Sequence, residues 1–235
     1  MSESGNVVLG VERSYTGKRW ESSDSDDRSA SAMSQRHGLS DIVSRVLVAR
    51  GVGIDTADTF LSPSLRSLLP DPARLQDMEN AAERLAEAIL SGETIGVFGD
   101  YDVDGATSSA LLHRFVHSVG GRVDIYVPDR LREGYGPNLP ALLGMKSSGV
   151  GVIVTVDCGI TAFDPLAGAA EAGIDVVVVD HHAAEPRLPE AVAVVNPNRL
   201  DDDSAMGQLA AVGVAFLLVI ALNRKLRTLG HYQNR

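Results

Sequence analysis

The pattern of apolar and polar positions changes near residue 94. Before it, apolar residues recur at helical spacing, as along Met78 to Ile89. After it, short apolar runs alternate with longer helical patterns. Strands are expected near 94–98, 122–127, 151–156, 174–179 and 191–195, and helices near 106–119, 138–148, 163–172 and 207–227. Apolar runs without polar alternation are typical of strands buried on both faces, so we predict an α/β fold: a parallel sheet with helices on both faces.

The same pattern divides the chain into three regions. Residues 1–35 show no apolar period, and the Ser- and Asp-rich part from Ser22 to Ser34 predicts a mobile N-terminal arm. Residues 36–92 are expected to form a small helical region, and residues 93–235 the α/β domain. Within the helical region, the expected features are helices at 39–50 and 55–60, a break at 61–64, and a helix that begins at Asp71-Pro72 and ends at Ser91-Gly92.

Acidic and imidazole side chains follow three of the apolar runs. The carboxyl ends of parallel strands lie along one edge of a sheet, and open α/β sheets bind ligands at that edge. We therefore expect these side chains to lie close together, where Asp and His would hold divalent metal ions. The three groups are Asp100, Asp102 and Asp104 after the first run, Asp157 after the third, and Asp180, His181 and His182 after the fourth.

Each group taken alone has a structural alternative. An Asp-x-Asp pair occurs in solvated acidic turns, Asp157 suits a helix N-cap, and adjacent histidines occur in polar turns. Their placement at three strand ends of one sheet favours function. Cys158 is expected to be a small packed residue without a nucleophilic role, because no activating partner is evident.

The residue types suggest roles within this site. Asp102 and Asp104, two apart on an extended loop, would point the same way towards metal. Free amides at the next helix start, with Thr107 and Ser108, can hold a phosphate. One histidine can ligate a metal while Asp180 orients a ring, and the other can donate to a phosphate or act as a general acid.

The loop from Val127 to Gly136, which contains two arginines, also follows a strand. Arg130 and Arg132 can clamp phosphate oxygens, and Tyr135 can stack on a base. The alternative interpretation is an ordinary surface loop.

Composition limits the classes of partner. The net charge of −10 over 235 residues gives no overall basic signature, so a nucleic-acid partner requires a local basic groove or bound cations. The single cysteine allows no intrachain disulfide and suits a reducing compartment. No secretory pattern is visible, and the longest apolar run, 209–222, is too short to span a bilayer. We therefore predict a cytoplasmic protein with no membrane partner.

In combination, these motifs resemble the DHH phosphoesterase superfamily and, within it, the RecJ family of single-strand-specific 5′→3′ DNA exonucleases. The resemblance covers roughly residues 40–230, and such a motif set is highly specific. The matching segments are Gly99–Gly105, Glu133–Gly136, Val156–Ile160 and Asp180–His182, with further likeness at 188–198 and 209–216.

The resemblance implies a site with two metal ions, usually Mn²⁺, with Mg²⁺ as the alternative. Metal-ligand positions match Asp102, Asp104, Asp157 and His181, with Asp100 as a further ligand or supporting group. His182 matches a residue that contacts the scissile phosphate, and Asp180 would support the histidines. The loop with Arg130 and Arg132 is where phosphate contacts are expected.

The implied function is two-metal hydrolysis of single-stranded DNA in repair and recombination, with other repair and helicase proteins as partners. One alternative keeps the chemistry and changes the substrate to short oligonucleotides, cyclic dinucleotides or pyrophosphate. Another is a non-catalytic nucleic-acid-binding scaffold.

The superfamily pattern also contains an Asp in a Gly-Thr-x-x-Asp context, after a helix that would end here near Leu229. This sequence lacks that motif, the second DHH-associated domain and the oligonucleotide-binding-fold region. We therefore expect the domain at 93–235 to be truncated before its last motif and its metal site to lack one ligand.

Overall fold

The computed structural model describes residues 7–21 and 26–233. These residues belong to two compact units, Met1–Leu69 and Pro70–Arg235. The first unit is helical and the second contains the sheet. Across the described residues, no helix is both long enough and apolar enough to cross a membrane.

The first unit packs short helices around a small apolar cluster. Met33, Leu47 and Ala57 are buried there, with Leu39 and Ile54 against them. The elements are a 3₁₀ turn at Val8–Gly10, α1 (Asp27–His37), α2 (Asp41–Ala49), a 3₁₀ turn at Ile54–Thr56, α3 (Ala57–Leu61) and α4 (Leu65–Leu68).

Helix α1 corrects the prediction of irregular chain up to residue 35. The Asp26 side chain caps this helix by accepting hydrogen bonds from the Arg28 amide at 3.0 Å and the Ser29 hydroxyl at 2.7 Å. Only Ala30 and Met33 of α1 are buried. Two buried positions are too few for the apolar spacing in the sequence to predict a helix. Residues 1–6 and 22–25 of the predicted arm lie outside the described residues.

The second unit is built on five parallel strands in the order β2-β1-β3-β4-β5. The strands are β1 (Thr94–Gly99), β2 (Arg122–Tyr126), β3 (Val150–Val156), β4 (Asp175–Val179) and β5 (Ala193–Val195). The helices are α5 (Met78–Ser91), α6 (Val103–Ser118), α7 (Leu139–Ser147), α8 (Phe163–Glu171) and α9 (Ala211–Thr228).

Helices cover both faces of the sheet, which confirms the predicted fold class. Helices α5, α6 and α9 share one apolar cluster with alternate residues of the strands, such as Val97 and Val154. Helices α7 and α8 share the other cluster with Phe98 and Ile153. Strands β1, β3 and β4 are buried almost throughout, whereas the edge strand β2 is largely exposed.

Three helix starts differ from the sequence prediction. The helix expected from Asp71-Pro72 is a 3₁₀ turn at Pro72–Arg74, separated from α5 by Asp77 at φ 59°. Helix α6 begins at Val103, earlier than predicted, because the Asp102 side chain caps it. Helix α9 begins at Ala211, after a turn where the prediction had helix. Helix α5, grouped by sequence with the preceding helices, packs against β1 and β5.

The strand order opens a crevice at one edge of the sheet. From β1 the chain crosses to β2 on one side, and β3, β4 and β5 follow on the other side. Ligands bind in doubly wound sheets of this order where the direction reverses, outside the carboxyl ends of the strands. The reversal here lies between β1 and β3, and Asp100 and Asp157 follow these two strands.

Candidate metal centre

The ends of β1, β3 and β4 bring the predicted metal-binding side chains together. Ligand atoms of Asp100, Asp102 and Asp157 all lie within 4.8 Å of one another, and so do those of Asp157, His181 and His182. Asp104 joins at one side, because its Oδ2 lies 3.9 Å from His181 Nε2. Asp157 belongs to both groups and therefore stands at the centre of the cluster.

Asp157 is a buried carboxylate whose surroundings disfavour its charge. Its side chain is 2% exposed, and its Oδ1 lies 3.3 Å from His181 Nε2. Its Oδ2 has no hydrogen-bond partner among the described residues. Burial, and then the neighbouring Asp102 carboxylate, raise the pKa of Asp157 to about 8. A cation between these carboxylates would remove that repulsion and supply the missing partner, so the residues fit a divalent metal site.

The backbone conformation at Asp157 directs its side chain towards the other candidate ligands. Its φ of 62° lies in the left-handed region, which Asp tolerates better than most residues. The Asp157 amide donates to the Val179 carbonyl at 3.0 Å, which continues the β3–β4 pairing past the strand end. A helix N-cap, the structural alternative for Asp157, is not observed, because α8 begins only at Phe163.

Asp102 caps helix α6 on the β1 side of the crevice. Its Oδ1 accepts hydrogen bonds from the amides of Asp104 at 2.9 Å and Gly105 at 3.0 Å. The bond from Gly105, more than any other contact, lowers the pKa of Asp102, so this carboxylate stays ionised. Asp104 lies in the first turn of α6. The prediction that Asp102 and Asp104 share an extended loop is therefore wrong, although both reach the cluster.

Asp100 lies deeper in the same crevice. Its Oδ1 accepts a hydrogen bond from the Tyr101 amide at 2.7 Å, and its own amide donates to the Val156 carbonyl at 3.3 Å. Burial raises the pKa of Asp100 above its usual value. Asp100 thus adds a second carboxylate that a cation would stabilise.

Asp180 orients both histidines from behind the cluster. The residue is fully buried. Its Oδ1 accepts hydrogen bonds from the His181 amide at 2.7 Å and from the His182 amide at 3.2 Å, and it pairs with His182 Nδ1 at 2.7 Å. Its Oδ2 accepts from the Ile160 amide at 3.0 Å. With its lone pairs used in this way, Asp180 is placed to position the histidines rather than to bind metal.

The two histidine rings face different partners. His181 Nδ1 pairs with the Leu209 carbonyl at 3.1 Å, which leaves Nε2 pointing at Asp157 and Asp104. Burial lowers the pKa of His182, but the hydrogen bond and charge of Asp180 outweigh burial, and the net shift is upward. His182 therefore holds a proton more readily than a free histidine, which suits contact with a phosphate.

Tyr135 reaches the cluster from the loop after β2. Its hydroxyl donates to the Asp157 carbonyl at 3.2 Å and lies 3.5 Å from His182 Nδ1. Glu133 fixes this loop by accepting from the Tyr126 hydroxyl at 2.5 Å, the Asp129 amide at 2.7 Å and Asn138 Nδ2 at 3.2 Å. The Tyr135 residue is 52% exposed, so part of its ring remains free for a ligand.

The structure separates the two arginines of this loop. The Arg130 guanidinium carbon lies 5.0 Å from the centre of the Tyr101 ring, and the charge of Arg130 acts on Asp100. Arg132 instead lines a separate cavity of about 770 Å³ beside β2 and α7. Arg130 therefore lies beside the candidate metal ligands, whereas Arg132 faces another part of the surface.

The predicted phosphate site at the start of α6 needs correction. Asp102 already binds the amides of Asp104 and Gly105. Ser108 is fully buried, so the predicted phosphate contact is wrong for this residue. The Thr107 hydroxyl is exposed but donates to the Val103 carbonyl at 2.7 Å, and its role in phosphate binding stays a prediction. Cys158 is buried as predicted, and burial raises the pKa of its thiol.

Sequence reasoning gave no role to the side chains that support the DHH tripeptide from the neighbouring strand. Asn196 and Asn198, directly after β5, donate to the carbonyls of His182 and His181. The one signal in the sequence was the polar Asn-Pro-Asn segment at another strand end. The hydrogen bonds join residues 14 and 17 positions apart, and nothing in the local pattern identifies them.

Comparison with known proteins assigns the family. Residues 94–233 match the N-terminal domain of the DHH family. The chain belongs to the DHH family. The single-stranded-DNA-specific exonuclease RecJ of Bacillus subtilis is 38% identical to this DHH chain over 207 residues, which is 87% of the chain and 26% of that protein. The RecJ exonuclease of Haemophilus influenzae is 41% identical over 171 residues, or 72% of the chain and 30% of that protein.

Solved structures of RecJ share the fold of this DHH chain. Exonuclease RecJ bound to manganese is 38% identical with a TM-score of 0.59, covering 65% of the chain and 38% of that structure. RecJ of Thermus thermophilus in complex with Mn²⁺ is 28% identical with a TM-score of 0.70, covering 88% of the chain and 28% of that structure. The chain thus spans well under half the length of the relatives it matches.

Proposed function

We propose that this chain carries the metal-dependent phosphodiesterase site of a single-stranded-DNA-specific 5′→3′ exonuclease that acts in DNA repair and recombination. The observation that carries the proposal is Asp157, a buried carboxylate with an unpartnered oxygen, shared by two groups of candidate metal ligands. The proposal is supported by the RecJ exonucleases similar to this chain and by the RecJ structures with Mn²⁺ and Mg²⁺.

Two cations fit the arrangement better than one, because Asp157 belongs to both ligand groups. Asp100 and Asp102 would hold one ion with Asp157, and His181 and Asp104 the other. His182 lies close to the second group, but its Nδ1 is bonded to Asp180 and its Nε2 is assigned to the phosphate, so it is not counted as a ligand. Mixed carboxylate and imidazole ligands suit Mn²⁺, with Mg²⁺ as the alternative ion.

Two bound cations would neutralise charge on the scissile phosphodiester and would lower the pKa of a water molecule, so that it could attack as hydroxide near neutral pH. The protein's own groups position and hold protons around them. Asp102, kept ionised by the α6 amides, remains ready as a ligand. His182, whose Nδ1 bonds to Asp180, would present a proton on Nε2 to a phosphate oxygen.

The substrate contacts would come from the loop after β2. Arg130, stacked on Tyr101 and close to Asp100, is placed to bind a backbone phosphate. The half-exposed ring of Tyr135 would stack on a base, and Arg132 would contact phosphates farther along a strand. Bound cations would offset part of the net charge of −10, and they would do so at the site where the phosphate binds. Contacts with other repair and helicase proteins, and a cytoplasmic location, remain predictions.

A nuclease assay with matched variants tests this function. The 235-residue chain would be incubated with Mn²⁺ and 5′-labelled single-stranded DNA, beside Asp157→Asn and the control Asp175→Asn. Asp175 pairs with Arg84 at the opposite end of β4, so the control makes the same substitution away from the cluster. We expect label release by wild type and control, none by Asp157→Asn, and none with chelator.

The substrate panel decides between the related functions. Duplex DNA, a cyclic dinucleotide and pyrophosphate would be assayed under the same conditions. Preference for the single strand supports the proposal. Hydrolysis of the small substrates alone would overturn the substrate assignment and retain the chemistry. Metal-independent binding of DNA without hydrolysis would favour the scaffold interpretation.

A further inference from the structure

Two asparagines after β5 hold successive carbonyl groups of the DHH tripeptide. Asn196 is fully buried and its Nδ2 donates to the His182 carbonyl at 3.0 Å. Asn198 Nδ2 donates to the His181 carbonyl. The pair is itself linked, because Asn196 Oδ1 accepts from the Asn198 amide at 2.8 Å. The two histidines are thus held from the β5 side as well as by Asp180.

Asn198 also contacts the turn that supplies the ring partner of His181. Its Nδ2 lies 3.4 Å from the Gly207 carbonyl. A side chain at Gly207 would lie 2.5 Å from Asn198 Oδ1, so only glycine permits this approach without displacement. Two residues later, the Leu209 carbonyl lies 3.1 Å from His181 Nδ1. The side-chain amide of Asn198 therefore bridges the His181 backbone and the turn that contacts the His181 ring.

The contact between His181 Nδ1 and the Leu209 carbonyl decides which ring nitrogen of His181 is free to bind a metal ion. A carbonyl oxygen only accepts hydrogen bonds, so Nδ1 must carry the hydrogen when the ring is neutral. The lone pair then lies on Nε2, which faces Asp157 Oδ1 at 3.3 Å and Asp104 Oδ2 at 3.9 Å. A metal ion between these groups requires that lone pair.

We propose that Asn198, supported by Asn196, is a positioning residue that fixes the orientation and tautomer of His181 for metal binding. The side-chain NH2 groups of both asparagines are bonded to backbone carbonyls of the tripeptide. Their effect passes through the His181 backbone and the turn at 207–209. This inference rests on the proposed metal-dependent function, but the tautomer of His181 can be measured without metal.

The test uses the full chain with Asn198→Leu, which removes the amide at similar size, and the control Asn223→Leu. Asn223 on α9 accepts from the Tyr232 hydroxyl at 2.6 Å, so the control also loses a hydrogen bond but away from the cluster. Imidazole nitrogen chemical shifts of His181, read by NMR without metal at a pH where the ring is neutral, report the tautomer. Calorimetric titration with Mn²⁺ reports affinity.

We expect hydrogen on Nδ1 of His181 in the wild type and in Asn223→Leu. In Asn198→Leu we expect a mixture of tautomers and a loss of Mn²⁺ affinity of roughly 10- to 100-fold, the usual effect of removing such support. Hydrogen on Nε2 in the wild type, or an unchanged tautomer and affinity in Asn198→Leu, would overturn the inference.

Two further results keep the test decisive. If Asn198→Leu does not fold, Asn198→Ser removes the amide with less steric change and is read in the same way. If the wild type binds no Mn²⁺, the proposed metal-dependent function fails. The tautomer comparison still decides whether Asn198 positions His181.

Discussion

At the residue scale, Asp157 combines burial, unusual backbone and an unsatisfied oxygen. Its φ is 62°, and its Oδ2 has no partner in the described part of the chain. Such a residue destabilises a domain without its ligand, and natural proteins tolerate such costs at functional sites. The same environment that raises the pKa of this carboxyl would bind a cation tightly.

The pKa of Asp157 predicts how stability depends on pH. Its folded-state pKa is about 8, raised above the ordinary value of 3.8. The stability that the folded state gains from holding a proton on the Asp157 carboxyl is therefore fully present below about pH 4. It is lost as pH rises through 8. Without metal, the melting temperature of wild type should fall across this range relative to that of Asp157→Asn, which removes the titration.

Thermal unfolding in chelator, followed by circular dichroism from pH 5 to about 9, would measure this difference. Added Mn²⁺ should stabilise the wild type, more at the higher pH, and leave Asp157→Asn unchanged. Parallel pH profiles for the two proteins would show that Asp157 does not titrate as described.

Tyr135 is predicted to contribute to stability through its hydroxyl. Tyr135→Phe removes the hydrogen bond to the Asp157 carbonyl and should lower the free energy of unfolding by about 1 kcal/mol. Urea unfolding would measure this, with Tyr15→Phe as the control because Tyr15 is fully exposed. Equal stability of the two variants would mean that the Tyr135 contact contributes nothing.

At the element scale, the site depends on how closely α6 follows β1. A side chain at Gly105 would lie 2.2 Å from the Asp100 carbonyl oxygen and 2.6 Å from its carbonyl carbon and amide nitrogen. Because these atoms are backbone, the helix start or the strand end would have to move. Gly105 therefore allows Asp100, Asp102 and Asp104 to converge.

A pair of glycine substitutions tests this packing. Gly105→Ala should destabilise the chain by about 1–3 kcal/mol and weaken Mn²⁺ binding, because backbone must shift. Gly144 lies on the exposed side of α7, and an added Cβ there would have no atom within 4 Å. Gly144→Ala should therefore raise the free energy of unfolding by roughly 0.5–1 kcal/mol. Chemical unfolding and metal titration of both would check the contrast. Normal metal affinity in Gly105→Ala would contradict it.

The elements and the strand ends were largely predictable from sequence, because apolar runs identify buried strands and the acidic residues follow them directly. Helix boundaries were less predictable. The Asp102 cap places the start of α6 before the predicted start, and α1 buries too few apolar residues to show a helical period. The roles of Asn198 and Tyr135 depend on contacts between distant segments, which local patterns do not contain. The strand order could not be derived either.

At the scale of the molecule, all the candidate ligands and their supports lie within the second compact unit, residues 70–235. We therefore predict that a chain beginning at Pro70 folds and binds Mn²⁺ with the affinity of the full chain. Circular dichroism and calorimetric titration of this fragment would check it. A folded fragment that does not bind Mn²⁺ would show that the first unit is needed for the site.

The most direct test of the account is the binding of Mn²⁺ to the full chain at about pH 8, where Asp157 can ionise. Calorimetric titration should show two ions bound by wild type and by Asp175→Asn, proton release on binding, and loss of binding in Asp157→Asn. Absence of binding by the wild type, or full binding by Asp157→Asn, would contradict a metal site centred on Asp157.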